Sequence, residues 1–305
     1  MIDLHPLRLL RVSRWPVQRG LLQPLASTRH STQDCVLTLT AFWLGLLSLT
    51  AGSEQSPARL KPAPSCAART LPDAVDLRPA FKEWGLVARQ QGNRGTCSVF
   101  VLTSALEFAA ASKQHHGERF SVEFLNWGAQ KIVGKAKDGG YFSDLWSAFA
   151  VYGICLEGTL PYRAEFDPAL APAPEVLAEA KTRLALGLRR HWIKEWNVKT
   201  GLTGEQLLAV KQTLSLGWPV CGGLRWPTQP QWSHDVLQMC PADAVYDGHS
   251  VLLVGYRDGT NQLDGVFIFR NTNKDGRDGQ MPYSYAQSYM NDAMWIDSDA
   301  QTPPP

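Results

Sequence analysis

The stretch QQGNRGTCSVFVLTSALEF, residues 90–108, begins with turn-forming residues and continues as an apolar run, with a cysteine where the two meet. The apolar side chains after Cys97 predict a largely buried helix from Cys97 to about Gln114, ended by Gly117. A helix N-terminus stabilises a thiolate through its dipole and its unpaired N–H groups. Cys97 is therefore either a nucleophile or a small apolar residue at the start of a buried helix. Taken alone, the stretch favours the buried residue.

The composition is that of a globular chain without a strong charge. The 305 residues are 44% hydrophobic and include 11 tryptophans, which is enough for one large domain or two smaller lobes. The formal net charge is only +2, so no general electrostatic field attracts nucleic acid or acidic substrates. We therefore expect no nucleic-acid partner.

The first 53 residues have the pattern of a targeting segment. Several arginines precede an uncharged run, VLTLTAFWLGLLSLTAG at residues 36–52, which ends in a small-x-small cleavage pattern. We interpret residues 1–53 as a secretory signal peptide, so we expect a secreted protein, periplasmic or extracellular. The alternatives are an uncleaved membrane anchor with the domain facing outside, an organelle-targeting segment, and an over-extended start.

Export would permit disulfides, since the compartments outside the cytosol are oxidising. Removal of the signal leaves an odd number of cysteines, so at least one is unpaired within a monomer. If Cys97 is the free cysteine, the remaining four allow three pairings, and a reduced core residue is a further possibility for Cys221. The other three are Cys66, Cys155 and Cys240.

The chain after the signal divides by composition into a linker, one domain and a tail. Residues 54–70 are proline-rich and predict an extended linker, and residues 299–305 predict a disordered tail. The domain between them, residues 71–298, is helical first and mostly strands later. This order predicts an α+β domain with a helical lobe at about 85–190 and a strand lobe at about 191–298.

Local signals place the elements of both lobes. Further helices are predicted after Ser121, over SDLWSAFAVYG, and at about 175–188. Thr203 and Gln206 form a capping-box pattern that opens the helix EQLLAVKQTLSLG. The predicted strands are RHWIKEW, WPVCGGLRW, SVLLVGY and GVFIFRN.

A cysteine nucleophile needs an imidazole base, and that base needs an orienting partner. His249 begins the strand SVLLVGY and Asn271 ends the next strand, so pairing of the two strands would bring their side chains together. His234, in QWSHD, has no such strand after it and is the weaker candidate. Gln91 precedes Cys97 closely enough for its amide to help the Cys97 N–H stabilise an oxyanion.

Together these segments resemble the papain family of cysteine peptidases. LPDAVDLR is similar to the family's mature N-terminus, and QGNRGTC matches its Q-G-x-x-G-x-C segment. DGGYFSDLW matches the family's glycine pair and aromatic residue, and GHSVLLVGY with FIFRN matches the histidine and asparagine strands. The family order is kept from about Leu71 to Ile296.

The resemblance implies a two-lobe papain-like fold, with a helical left lobe, an antiparallel β-barrel-like right lobe and the active cleft between them. Cys97 would form the acyl-enzyme, His249 would act as base and acid, Asn271 would orient His249, and Gln91 would complete the oxyanion hole. The resemblance also implies that substrate binds along Gly139, Gly140 and Tyr141, with Gly140 bonding the substrate backbone.

The activity expected from the resemblance is that of a thiol protease, a hydrolase acting on a peptide or protein substrate. The resemblance requires no metal and no organic cofactor, and we expect a monomer. Side-chain preference stays open, as does the choice between endopeptidase and exopeptidase action.

Several positions depart from the family pattern. Arg94 stands where the family has a cysteine, and Lys137 or Asp138 stands where its disulfide partner would be, so that disulfide should be absent. Ser98 follows Cys97 at a position where the family has tryptophan. The segment NTNKDG stands where the family has N-S-W-G, so the tryptophan that shields the hydrogen bond between asparagine and histidine is missing. We therefore expect the hydrogen bond between His249 and Asn271 to be more solvated, and activity to be lower.

These departures keep two other interpretations open. One is a papain-fold binding protein with weak or no catalysis. The other is a different Cys-His acyl transferase, such as a transglutaminase-like enzyme, whose third residue is usually aspartate. Asp275 and Asp278 lie near Asn271 and would be the candidates for that residue.

Overall fold

The computed structural model describes residues 71–260, 264–273 and 278–298. The predicted signal or anchor (1–53), the linker (54–70) and the tail (299–305) lie outside these residues, as does Cys66. Within the described parts of the chain, no helix is both long enough and apolar enough to span a membrane.

Helices dominate the first half of the described chain and strands the second, so the α+β prediction is confirmed. The lobe boundary near residue 190 stays a prediction. The helices are α1 (Arg78–Glu83), α2 (Cys97–Gln114), α3 (Val122–Val133), α4 (Phe142–Tyr152), α5 (Pro174–Thr182), α6 (Gly204–Ser215) and α7 (Tyr283–Tyr289). The strands are β1 (Ala74–Asp76), β2 (Arg189–Lys194), β3 (Val220–Pro227), β4 (Trp232–Ser233), β5 (Val236–Leu237), β6 (Val245–Asp258), β7 (Gly265–Arg270), β8 (Asp278–Pro282) and β9 (Met290–Asp297).

The helix α2 has the predicted bounds and is buried on all sides from Cys97 to Ser112. A helix covered on every side lies inside the domain, and α2 takes a few polar side chains such as Glu107 into the interior with its apolar ones. Its last residue is Gln114, and the next residue, His115, takes a left-handed conformation with φ 58°, so the helix stops before the predicted Gly117. Gly117 instead approaches the backbone oxygen of Trp84, where a Cβ atom would not fit.

The capping signals produce the expected helix starts. Ser121 accepts a hydrogen bond from the backbone N–H of Phe124 at the start of α3. Thr203 and Gln206 form the complete capping box of α6. The predicted helix at 175–188 is shorter, because α5 ends at Thr182 and a 3₁₀ turn continues to Leu186.

The strands form one sheet in the order β2-β9-β3-β6-β7-β8-β5-β4, and β1 pairs with β6. The pairs are antiparallel except for β5 with β8. In β6, Leu252 and Val254 pack into the core that contains α2, whereas Val251 and Leu253 pack into the core that contains α6 and α7. The sheet is therefore covered on both faces, and it places the start of α2 against β6.

No disulfide forms among the cysteines in the described residues, so the possible pairings of Cys155, Cys221 and Cys240 with one another do not occur. The reason is that the three lie in or against different apolar clusters. Cys221 is the reduced core residue considered above, with no exposed surface.

Candidate active site

Cys97 is the first residue of α2, and its side chain is buried, with the residue 7% exposed. Its Sγ donates a hydrogen bond to the carbonyl oxygen of Gly248, at 3.7 Å. Burial raises the pKa of the Cys97 thiol, and hydrogen bonds from Ser250 and Ser98 oppose this shift only in part. The sequence predicts a thiolate here, whereas burial of the Cys97 side chain favours the uncharged thiol.

His249 and Asn271 meet through the pairing of β6 with β7. Leu252 pairs with Arg270, so the residues before Leu252 and after Arg270 lie at the same end of the two strands. The His249 Nε2 atom is 3.0 Å from the Asn271 Oδ1 atom. This contact brings together the two side chains that the sequence proposes as base and orienting partner.

The orientation of the imidazole follows from hydrogen-bond chemistry. The backbone N–H of Asn273 donates to Asn271 Oδ1 at 3.3 Å, which identifies that atom as the oxygen, since an N–H can only donate. His249 therefore carries its proton on Nε2, which leaves Nδ1 as the basic nitrogen. Burial lowers the pKa of His249 to about 4, and the bond to Asn271 opposes this shift, so the ring is neutral at pH 7.

A β-bulge lies next to His249 and brings Gly248 against Cys97. Leu224 of β3 pairs with His249 and Arg225 pairs with Asp247, so Gly248 is the extra residue. Gly248 has φ 108°, which favours glycine, and its carbonyl accepts the bond from Cys97. Bulges commonly re-aim side chains beside active sites. Gly248 is not among the site residues predicted from the sequence, although an Asp-Gly pair before the histidine is a turn signal.

Trp226 of β3 covers His249, with 4.5 Å between the ring centroids. His249 is only 9% exposed and Asn271 only 3%. The expectation that their hydrogen bond is more solvated is therefore wrong. A tryptophan from another strand shields the pair, and the sequence could not reveal it, because the contact depends on the register of β3 against β6.

Gln91 is held in one orientation next to the start of α2. Its Nε2 donates to the backbone carbonyl of Arg94 at 2.8 Å, and the Thr272 hydroxyl donates to its Oε1 at 2.8 Å. The backbone N–H of Gln91 also donates to the Thr272 carbonyl. Because a carbonyl can only accept, these contacts fix which end of the amide is the NH₂ group. Gln91 does not itself line the cavity around Cys97.

A cavity of about 250 Å³ opens beside Cys97 and His249. Its lining includes the three predicted substrate-binding residues, Gly139, Gly140 and Tyr141. The Gly140 N–H donates to Ser98 Oγ at 3.2 Å, so the serine that replaces tryptophan holds the glycine pair.

The opposite wall of the cavity comes from the strand-rich part of the chain. It includes Trp196 and Asp292, which were not predicted from the sequence. The Tyr141 and Trp196 rings meet edge to face with centroids 5.2 Å apart, and about half of each residue is exposed. The cavity is thus a cleft between the α2 side and the strand side of the domain. A neighbouring cavity of about 360 Å³ shares Tyr141, Trp196 and Asp292 with it.

The arrangement of the chain matches that of known cysteine proteases. Xylellain from Xylella fastidiosa aligns over 75% of this chain and 87% of its own, at 23% identity and a TM-score of 0.57. The fold is papain-like. Procathepsin L 3 from the midgut of Tenebrio molitor larvae aligns over 76% of this chain and 71% of its own, at 19% identity and a TM-score of 0.54.

A third papain-like structure, the proform of the ragweed pollen allergen Amb a 11, covers 78% of this chain and 69% of its own. It is 20% identical, with a TM-score of 0.56. No family model and no curated protein matches the chain. At these identities the comparisons establish the fold.

Two of the candidate residues lie away from the papain-like cleft. His234 occupies the turn between β4 and β5, where it has φ 50°, and it does not line the cavity. Asp278 accepts a hydrogen bond from Arg270 at 3.2 Å, while the partner of His249 is Asn271. Asp275 lies outside the described residues. These contacts favour Asn271 over Asp278 as the third residue of the site.

Proposed function

We propose that the chain is a cysteine peptidase that hydrolyses peptide bonds through an acyl-enzyme on Cys97. The observation that carries this proposal is the shared cleft. The thiol at the start of α2 and the imidazole bonded to Asn271 both line a cavity bordered by Gly139 and Gly140. Further support comes from the fold, because proteins with a similar fold are described as cysteine proteases.

The reaction starts from a neutral thiol and a neutral imidazole. As Cys97 Sγ attacks the peptide carbonyl, its proton passes to His249 Nδ1, and Asn271 keeps the ring oriented through Nε2. The resulting oxyanion accepts hydrogen bonds from the Cys97 N–H and from the second amide hydrogen of Gln91.

Collapse of this intermediate breaks the C–N bond. His249 then returns its proton to the leaving amine, and the acyl group stays on Cys97 as a thioester. Water attacks the thioester with His249 as base, which releases the new carboxylic acid and restores the thiol. No metal or organic cofactor takes part in these steps.

We further propose that the protein acts outside the cytosol as a monomer on peptide or protein substrates. The support for export is the apolar run at residues 36–52 after an arginine-rich segment. Attachment to a membrane would follow only if that run is not cleaved.

A papain-fold binding protein with weak or no catalysis is the second candidate. The observation that favours it is the burial of Cys97 and His249, which raises one pKa and lowers the other, so the reactive ion pair is disfavoured at rest. A thiol that never forms a covalent adduct would fit this alternative.

The proposal is tested by incubating a peptide library with the wild type and with Cys97→Ala. Hydrolysis by the wild type and none by Cys97→Ala is the expected result. Cys240→Ala is the matched control, since Cys240 is half-buried and does not line the cleft. Hydrolysis that survives Cys97→Ala, or a wild type that cleaves no peptide, would refute the proposed function.

A further inference from the structure

The guanidinium of Arg94 makes as many hydrogen bonds as it has N–H groups. The Arg94 residue is 6% exposed. Its Nε and Nη2 donate to Asp138 at 3.1 and 2.7 Å, and its Nη1 and Nη2 donate to Glu123 at 2.6 and 3.1 Å. The fifth bond runs from Nη1 to the backbone oxygen of Arg163, at 2.9 Å. We call Arg94, Glu123 and Asp138 the Arg94 cluster.

The Arg94 cluster packs against Tyr162 and keeps its charge. The guanidinium lies 4.7 Å from the centroid of the Tyr162 ring, and Tyr162 donates its hydroxyl to the backbone oxygen of Gln91. Burial alone would lower the pKa of Arg94, but the hydrogen bonds and charges of Asp138 and Glu123 outweigh it and raise the pKa. The cation therefore stays charged in the interior.

On one side, the cluster contacts Gln91, the residue proposed to complete the oxyanion hole. The backbone carbonyl of Arg94 accepts the Gln91 amide at 2.8 Å. The position of the Arg94 main chain therefore sets the position of the Gln91 NH₂ group. Arg94 also lies in the turn that leads into α2 and Cys97.

The other end holds the glycine pair. Asp138 directly precedes Gly139 and accepts a hydrogen bond from Asn126 Nδ2 at 3.0 Å. Asn126 Oδ1 in turn accepts from the Gly139 N–H at 3.0 Å. Two parallel hydrogen bonds from the planar Arg94 guanidinium fix both the orientation of the Asp138 carboxylate and its distance from Arg94.

We propose that Arg94 is a positioning residue, which joins the oxyanion side of the cleft to its substrate-binding glycine pair through ion pairs rather than a covalent bridge. This inference rests on the proposed function, since it assigns roles to Gln91 and to Gly139 and Gly140 in that reaction. It also implies that substrate binding along the cleft does not depend on a disulfide at these positions.

The test compares two alkylation rates of Cys97 in each variant. Iodoacetamide needs only a reactive thiol, whereas a peptidyl epoxide must also bind along the cleft. In Arg94→Met, the rate with the epoxide should fall about 10- to 100-fold, the scale of a small misplacement in a site. The rate with iodoacetamide should stay unchanged. With a peptide substrate, kcat/KM should fall in parallel with the epoxide rate.

A second variant keeps the inference testable if Arg94→Met does not fold, because that change leaves the buried Glu123 without its cation. Asp138→Asn preserves the ion pair between Arg94 and Glu123 and removes one charge on the cleft side. It should lower the epoxide rate in the same direction and by a smaller factor, with the iodoacetamide rate unchanged.

Lys211→Met is the matched control. Lys211 is another fully buried cation, with its Nζ 2.7 Å from Asp258 Oδ1 and the rings of Tyr256 and Tyr283 beside it. None of these residues lines the cleft. The ratio of the two alkylation rates should therefore equal that of the wild type, even if the control is less stable.

The possible outcomes separate the two claims. If both rates fall together in Asp138→Asn, or if neither falls, Arg94 does not position the cleft and the inference is overturned. If the wild type reacts with the epoxide but cleaves no peptide, the proposed function is refuted. The ratio of the two alkylation rates in the variants then still decides the role of Arg94. A wild type that neither reacts with the epoxide nor cleaves peptides refutes both the proposed function and the role of Arg94.

Discussion

Cys97 and His249 share a site in which burial favours the uncharged form of both side chains. In the proposed reaction, charge separation between them therefore accompanies the attack on substrate. Two sets of groups stabilise the separated charges. The Asn271 oxygen accepts from Nε2 of the imidazolium, and backbone N–H groups around the Cys97 sulfur stabilise the thiolate. Small changes in these neighbours should alter activity and acid stability in measurable ways.

The buried imidazole of His249 predicts a loss of stability in acid. Its pKa falls from 6.5 to about 4 on folding, so between these pH values the unfolded chain binds one proton that the folded chain does not. The free energy of unfolding therefore rises with pH in this window. As the pH falls through the window, the protonation of His249 in the unfolded chain lowers that free energy by about 3 kcal/mol.

Urea unfolding at pH 6.5 and at about pH 4 measures this loss. The variant His249→Gln should lose less stability than the wild type over the same window, because it has no group with this pKa shift. His116→Gln, a change at an exposed histidine, should behave like the wild type. Equal losses in His249→Gln and the wild type would show that His249 is not the group responsible.

Thr272 should affect the oxyanion through Gln91. Its hydroxyl donates to Gln91 Oε1, so Thr272→Val removes that bond while keeping the shape of the side chain. We expect kcat to fall about tenfold with little change in KM, less than the 10²- to 10³-fold loss on removing an oxyanion donor itself.

Steady-state kinetics on one peptide substrate, with two further variants, check this prediction. Thr213→Val is the control, since Thr213 is a buried threonine whose hydroxyl bonds within α6, at Ala209. In a Gln91→Ala background, Thr272→Val should have no further effect on kcat. A full additional loss there would mean that Thr272 acts by another route.

The glycine pair beside α2 depends on a close backbone approach at Gly139. Gly139 has φ 72°, and a Cβ atom there would lie 2.5 Å from the Gly95 oxygen. Gly139→Ala should therefore destabilise the protein by about 1–3 kcal/mol. At Gly140 the nearest atom to an added Cβ is Leu145 Cγ at 3.8 Å, so Gly140→Ala should leave stability nearly unchanged. Urea midpoints of the two variants test the contrast, and equal midpoints would contradict it.

Elements with strong local signals were predictable from the sequence. The apolar run fixed the extent of α2, and Ser121 and Thr203 marked the starts of their helices because capping is a local interaction. The strand β1 was missed because its three residues gain their structure by pairing with the distant β6. The seven-residue α7 was missed as well, since so short a segment carries too little periodicity.

At the level of the whole molecule, the order of motifs along the chain predicted which residues meet, because the fold brings the start of α2 to the β6–β7 pair. It could not predict Trp226, Trp196 or Asp292 around the cleft, since their places depend on strand register and on packing between distant segments. The meeting of His249 with Asn271 beside Cys97 was thus predictable from the sequence, but the burial of these side chains was not.

The most direct test of the central claim is titration of the wild type with a peptidyl epoxide while peptide hydrolysis is followed. We predict that one equivalent abolishes hydrolysis, and that mass spectrometry finds the adduct on Cys97. The three other cysteines of the described chain, Cys155, Cys221 and Cys240, should be unmodified. Absence of an adduct at neutral pH, or hydrolysis that persists after Cys97 is fully modified, would contradict the assignment of Cys97 as the nucleophile of a peptidase.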